Sequence, residues 1–400
     1  MASLSPLVLI PGCLLDSLTA ARDALAAGRS RIAILRLALI LAFAPMVLLL
    51  PLLLLLGMTR WTADYDKVLI ANVESDLKIA EQYLSRLLTG TAGDLDAVAG
   101  SAEFRDMLQQ GGTHGFLESQ RKAHRLDFLY YLPTAAASAE ARAWPDVAAG
   151  LGGSSTALID IFSSDALAKR RPDLAGRARI DLIKTEAAVP TSRTVEDRGM
   201  VVHAASPVTL PGHEGVLVAG VLLNRNLGFI DAINELVYLN AVPGGDRQGT
   251  ATLFLEDVRV STNVRLFEDV RALGTRVSAA VRGAVLDQGQ TWLDRAFVVN
   301  DWYISGYLPL TDSFGDRVGM LYVGFLEAPF VTAKETAYFW MLAAFVLVLA
   351  ISLPVFLWMA KGIFAPLERM TETMRQVGQG DLSARKGQGN TRDEIGQVAT

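Results

Sequence analysis

Two uncharged apolar runs constrain this chain more than anything else in it. Residues 37–58 read LALILAFAPMVLLLPLLLLLGM, and residues 337–360 read AYFWMLAAFVLVLAISLPVFLWMA. At about 1.5 Å per residue each run reaches across a hydrocarbon core of about 30 Å, so each is expected as a transmembrane helix. Pro45 and Pro51 fit a span, where neighbouring groups satisfy the freed carbonyls. Tyr338, Phe339 and Trp340 at one end of the second run and Trp358 at the other match the two headgroup belts. Arg22, Arg29, Arg31 and Arg36 precede the first run, and Lys361, Arg369 and Arg375 follow the second. The positive-inside rule then puts both termini in the cytoplasm and residues 59–336 outside.

The apolar share of 51% agrees with lipid contact, and a net charge of -5 gives no reason to expect nucleic acid as a partner. Cysteine occurs once, at Cys13, so the outer domain holds together without an intramolecular disulfide. His114, His124, His203 and His213 all lie between the spans, scattered and without a cysteine or acidic residue at ligand spacing, so no metal site is expected. No nucleotide loop or catalytic constellation occurs, so no catalytic residue and no cofactor is expected in this segment.

Beyond the first span, Ile70, Val73, Leu77, Ala80, Leu84 and Leu87 repeat at spacings of three and four, which makes one apolar helical stripe. Two readings stay open for it: packing onto the protein's own sheet, or a parallel dimer seam. Residues 201–223 (VVHAASPVTLPGHEGVLVAGVLL) and 303–326 (YISGYLPLTDSFGDRVGMLYVGFL) resemble one another. Pro207 answers to Pro309, Gly215 to Gly319 and Gly220 to Gly324. Each has the alternation of a hairpin. LDFLYYLP supplies an earlier strand to the first hairpin, and ATLFLEDVRVST supplies two to the second around a Glu-Asp turn. Val277, Val281 and Val285 add a helical repeat. The chain is therefore expected to be α+β, with two tandem modules on a long N-terminal helix, distal at about 90–240 and proximal at about 245–328. Residues 134–190 read as an Ala- and Gly-rich, partly helical insertion.

The runs ATLFLEDVRVSTNV, GTRV and GQTWLDRAFVVNDWYISGYLPLTDSFGDRVGMLYVGF resemble the membrane-proximal half of a double Cache sensor, the PAS-like extracytoplasmic fold of bacterial receptors. The resemblance implies a small-molecule ligand of the amino-acid or organic-acid class, taken up more often by the distal module. Proximal candidates for holding it are Arg276, Arg295, Tyr303 and Tyr307, because an arginine fork suits a carboxylate and alternation puts both tyrosines on one strand face. Distal candidates are Tyr131, Arg198 and His203. Solvated arginines and core tyrosines are the plain alternative.

After the second span, residues 361–400, Ile363, Leu367, Met370, Met374 and Val377 form a short heptad helix behind Pro366. Gly380, Asp381 and Leu382 end it, and Asp393, Glu394, Ile395 and Gly396 open another. This pattern resembles a HAMP linker, which relays movement of the span through a dimeric four-helix bundle. The resemblance implies a homodimer in the bacterial inner membrane, a two-pass protein whose partners include membrane lipid. The end of the sequence in mid-helix reads as the edge of a longer receptor. Among outputs, a two-component sensor histidine kinase is expected, with ATP and Mg²⁺ used downstream and a response regulator as partner. A methyl-accepting chemotaxis receptor or a cyclic-di-nucleotide synthase or phosphodiesterase with the same input half is the alternative.

Overall fold

A computed structural model of the chain describes residues 31–238, 249–267 and 270–378, with side chains between residues 48 and 358. The chain divides into two compact units, one of residues 65–331 and one of residues 1–64 with 332–400.

In the smaller unit, helix α1 (Arg31–Ala99) contains the first apolar run and the last helix, α10 (Ala328–Gly378), contains the second. Among the described residues one stretch, Ala328–Trp358, is long and apolar enough to cross a membrane. Leu342, Leu347, Ile351 and Trp358 stand exposed on it, and Leu48, Leu52, Leu53 and Leu55 on α1. The two helices meet where Thr62 hydrogen-bonds Tyr338 and Trp61 packs edge-on against the same ring at 6.0 Å. Pro366, Leu367, Met370, Met374 and Val377 lie on α10, which runs through Pro366 without starting afresh there. Gly380, Asp381, Leu382, Glu394, Ile395 and Gly396 lie outside the described residues.

In the larger unit the C-terminal part of α1 carries a buried stripe of Leu69, Val73, Leu77, Ala80 and Leu84, with Ile70 and Leu87 half-buried beside it. The stripe packs on the protein's own sheets. Its cluster takes in Ile159, Met200 and Val202 from the first sheet and Leu253, Ile304 and Val323 from the second, so one helix face serves both. Each buried Leu, Ile, Val or Met among them contributes about 1.5–3 kcal/mol through burial. The close approach depends on Gly306, where an added Cβ would lie 2.9 Å from Val73 Cγ1.

Asp76 sits on the same helix, and partial burial raises its carboxyl to about 6. The folded chain therefore holds this proton more tightly than the unfolded one. Stability from this group is complete below about pH 4 and is lost as pH rises through about 6. Asp76→Asn is expected to stabilise the protein by about 1–2 kcal/mol at pH 8, allowing for solvent screening, and by nothing below about pH 4. Unfolding curves at the two pH values check this, and an equal gain at both would refute it.

The first sheet is antiparallel in the order β1-β6-β5-β2, from β1 (Phe128–Pro133), β2 (Thr156–Phe162), β5 (Gly199–Val208) and β6 (Gly215–Leu222). The short strands β3 (Ile180–Asp181) and β4 (Val195–Glu196) pair beside it. Residues 134–190 are no mere insertion, because they supply edge strand β2. They also supply the helices that cover one sheet face: α4 (Thr134–Glu140), α5 (Pro145–Leu151), α6 (Ser164–Arg170) and α7 (Pro172–Ala178). Helices α2 (Ala102–Gln110) and α3 (Thr113–Ala123) pack on the other face with the end of α1.

Helix α8 (Leu227–Tyr238) leads to the second sheet, in the order β11-β12-β13-β7-β8. Its strands are β7 (Gly249–Leu255), β8 (Val258–Thr262), β11 (Trp292–Val298), β12 (Asp301–Thr311) and β13 (Arg317–Leu326), with a small ribbon of β9 (Arg265–Phe267) and β10 (Val270–Arg271). Glu256 and Asp257 make the β7–β8 turn, with Glu256 at φ 50°. Val281 and Val285 are buried along α9 (Ala279–Arg282) and the π-turn that follows it, while Val277, also buried, lies just before the helix, ahead of its N-cap Ser278.

Candidate functional site

The two modules treat their polar residues differently. In the second, the sheet face away from α1 carries Phe254, Tyr307, Met320 and Tyr322 in one cluster. Tyr307 and Tyr322 are cross-strand partners with ring centroids 4.7 Å apart. Edge strand β8 adds Arg259 opposite Phe254, beside a register shift between Leu253 and Phe254. A bulge of this kind re-aims a side chain.

Arg259 is 3% exposed. Its Nη1 donates to Thr275 Oγ1 at 3.1 Å, its Cζ lies 5.1 Å from the centre of the Phe254 ring, and its Nε has no hydrogen-bond partner. Among the described residues no carboxylate pairs with it. Burial pulls the guanidinium pKa down and pushes up those of Tyr303, Tyr307 and Tyr322. A buried, uncompensated cation is costly unless a partner arrives.

A cavity of about 450 Å³ opens in front of this arginine, bounded by Arg259, Thr275, Arg276, Ser278, Tyr307 and Asn300. Its far wall is residues 183–187. That wall is fixed by backbone hydrogen bonds from Ile183 N to Gly274 O (2.9 Å) and from Ala279 N to Ala187 O (2.8 Å). Arg276 Nη1 adds a bond to Val189 O at 2.5 Å. Gly274 is required there, because at φ 79° an added Cβ would lie 2.1 Å from Asp181 O. Volume and lining fall in the range of small-molecule sites.

Among the sequence candidates, Tyr307 lines this cavity and Tyr303 packs on the same face beside it. Arg276 lines it too, but its Nη2 and Nε donate to Asp257 at 2.6 and 3.3 Å, so its charge is already matched. Arg295 lies elsewhere: two residues along the strand from Leu293, it shares that residue's face, on the α1 side, and pairs with Glu327 at 2.8 Å.

The distal candidates do not converge. Tyr131 packs toward α2, 6.1 Å from Phe104, and donates to His213 O at 2.7 Å. Arg198 forks onto Glu196 at 2.8 and 2.9 Å and reaches Glu256 at 2.8 Å, tying the modules together. Those hydrogen bonds to Glu196 hold the Arg198 guanidinium pKa up. His203 lies on the opposite sheet face from Tyr131, buried among Phe128, Trp144 and Phe162. There burial opposes its protonation, but Asp146 and Asp160 outweigh this and raise its pKa.

Arg259 was not among the sequence candidates. Its one signal is a charge between Val258 and Val260 in a strand otherwise apolar or small, and alternation alone reads such a residue as solvent-facing. Residues 272–277 cover it, with Arg259 N bonded to Thr275 O at 2.9 Å and Val258 bridged to Arg276.

Residues 221–337 match the family described as Single cache domain 3, and residues 358–400 match the HAMP domain. The first match contains Arg259 and the whole second sheet. No curated protein sequence matches the chain. Among solved structures, the periplasmic domain of Vibrio cholerae LuxQ is 12% identical, covering 64% of this chain and 99% of its own, at a TM-score of 0.34. The V. cholerae histidine kinase DctB sensor domain is 12% identical over 65% of this chain and 98% of its own, at 0.31. The ligand-binding domain of the Pseudomonas aeruginosa PAO1 amino acid chemoreceptor PctB, in complex with L-Arg, is 15% identical over 68% and 94%, at 0.28. The chain thus joins a Cache sensor domain to a HAMP domain, and is a sensing and signal-transduction protein.

Proposed function

We propose that the second module is the receptor's ligand site and that it takes a small carboxylate, anchored by Arg259. The observation that carries this is a buried arginine without a carboxylate partner, facing a cavity of about 450 Å³. A guanidinium fork binds a carboxylate through two parallel charge-assisted hydrogen bonds, and low dielectric strengthens them. Ser278, Thr275 and Asn300 offer polar groups for the rest of the ligand. On the equivalent face of the first module, helices α4 to α7 and the Trp144–Phe162 stack, 4.3 Å apart, fill the space.

The wider reading is a two-pass receptor of the bacterial inner membrane with both termini cytoplasmic, supported by the apolar runs and the arginines flanking them. Both outer modules are Cache-like in this reading. The chain works as a homodimer, and ligand biases a two-state HAMP bundle by its differential affinity for the two states. The output is that of a two-component histidine kinase using ATP and Mg²⁺ and addressing a response regulator.

The test is thermal unfolding of the full chain in detergent micelles with acetate, succinate, citrate and the amino acids, against matched amides and sugars. At least one carboxylate is expected to raise the midpoint while its amide does not. Stabilisation by uncharged compounds alone would refute the reading.

A further inference from the structure

Three residues far apart in the sequence meet beneath α5 in the first module. Strands β2 and β5 pair with Asp160 opposite Val201 and Leu158 opposite His203, so Asp160 and His203 share the sheet face that α5 covers. Helix α5 lies close because residue 150 is glycine: an added Cβ would lie 2.8 Å from Val216 Cγ1. Asp146, in the first turn of α5, is thereby brought down onto the histidine. His203 Nδ1 lies 2.8 Å from Asp146 Oδ2 and 3.1 Å from Asp160 Oδ2. All three side chains are buried.

The charges in this cluster do not balance. Nδ1 can carry one hydrogen for two carboxylates, Asp146 Oδ1 has no hydrogen-bond partner, and among the described residues no lysine or arginine pairs with either aspartate. His203 Nε2 has no conventional partner either, but the ring meets Phe162 and Trp144 edge-on, at 87° and 75°. Such contacts suit an N–H pointing at an aromatic face. With the hydrogen on Nε2, the Nδ1 lone pair faces two carboxylate oxygens, an arrangement that needs a cation between them.

We propose that Asp146, Asp160 and His203 bind one divalent first-row transition-metal ion, with zinc as the reference. Bonds of about 2.0–2.2 Å from one ion to imidazole nitrogen and carboxylate oxygen put neighbouring ligand atoms about 3 Å apart; Nδ1 has this spacing to each carboxylate oxygen, and all three ligand atoms lie within 4.8 Å of one another. Two carboxylates and a neutral imidazole neutralise the divalent charge. One imidazole with two carboxylates suits zinc, manganese or iron better than the thiolate-seeking ions. The ion pins α5 to β2 and β5. It also reaches the second module, because Ser313, in the β12–β13 turn, donates its hydroxyl to Asp160 Oδ1 and its backbone N–H to Ile159 O. This site is independent of the carboxylate cavity.

The test uses the untagged full chain in micelles, stripped with a chelator and titrated with Zn²⁺ against a chromophoric competitor, and with Co²⁺ by visible absorption. The wild-type chain is expected to take one equivalent, with Co²⁺ giving the d–d bands of a low-coordinate N/O site. Asp146→Asn and Asp160→Asn, each nearly isosteric, are expected to weaken Zn²⁺ binding at least about 100-fold. His124→Ala, at the exposed pair with Asp94, is expected to leave it unchanged. The assignment is overturned if wild type takes up no ion, if both asparagine variants bind as tightly as wild type, or if His124→Ala abolishes uptake. A chain that binds no ion and shows only a pH-dependent midpoint, lost in Asp146→Asn, would be a buried proton-sharing triad.

Discussion

Arg259→Met is expected to abolish the response to carboxylate ligands and at the same time to make the unliganded protein more stable. Both effects follow from one feature, a guanidinium 3% exposed and without a carboxylate partner. Methionine fills a similar volume against Phe254 and Tyr307 without a charge. Exchanging buried charge for apolar volume is typically neutral or stabilising by about 1–4 kcal/mol. Each kcal/mol corresponds to about 2–4 °C in a domain of this size. The same exchange removes both hydrogen bonds of the fork, so carboxylate affinity is expected to fall at least about 100-fold, or about 2.8 kcal/mol. Arg259→Lys keeps the charge but loses the planar fork, and an intermediate affinity is expected. Thermal unfolding with and without ligand reads both quantities. A structural arginine would show the opposite pattern: a less stable unliganded chain, with ligand affinity unchanged.

The second large effect is expected at the turn that holds the cavity together. Asp257, 4% exposed, accepts two hydrogen bonds from Arg276, which is 12% exposed and also holds Val189. Asp257→Ala leaves that guanidinium inside the protein without its counter-charge, which typically costs about 3–5 kcal/mol. Arg282, 3.8 Å from the same carboxylate, is itself a cation, so it cannot supply the missing counter-charge and loses its own contact as well. Because Arg276 also ties down residues 185–189, carboxylate binding is expected to weaken with stability. The double variant Asp257→Leu with Arg276→Met should recover most of the stability, a coupling that a double-mutant cycle measures. A loss below about 1 kcal/mol in Asp257→Ala would show that the pair is solvated and not part of the cavity's frame.

The strand pairs around Pro207 and Pro309 were legible because alternation and turn residues are local signals. The structure shows the equivalence physically: Gly215 faces Leu132 O and Gly319 faces Phe254 O, each 2.1 Å from where a Cβ would lie. The helical stripe was legible too, but its partner was not, since a spacing of three and four says that a face is buried without saying against what. Tyr303 and Tyr307 were placed on one face by the same alternation.

The site itself was less legible, because its chemistry depends on what covers a side chain. Arg259 and Arg295 are both arginines in strands of the second sheet. One lies under residues 272–277 beside a bulge, and the other pairs at the surface with Glu327. Asp160 and His203 are 43 residues apart, and only the pairing of β2 with β5 makes them neighbours. The run LIDIF around Asp160 is short and lies within a stretch read as an insertion, so β2 and its partner aspartate, Asp146, stayed hidden.

The most direct test of the central claim is a high-resolution structure of the chain bound to the carboxylate that stabilises it most. The account predicts the ligand in the second module, with its two carboxylate oxygens about 2.7–2.9 Å from nitrogens of Arg259 and Tyr307 within contact. A ligand seated on the α4–α7 face of the first module, with nothing against Arg259, would contradict it.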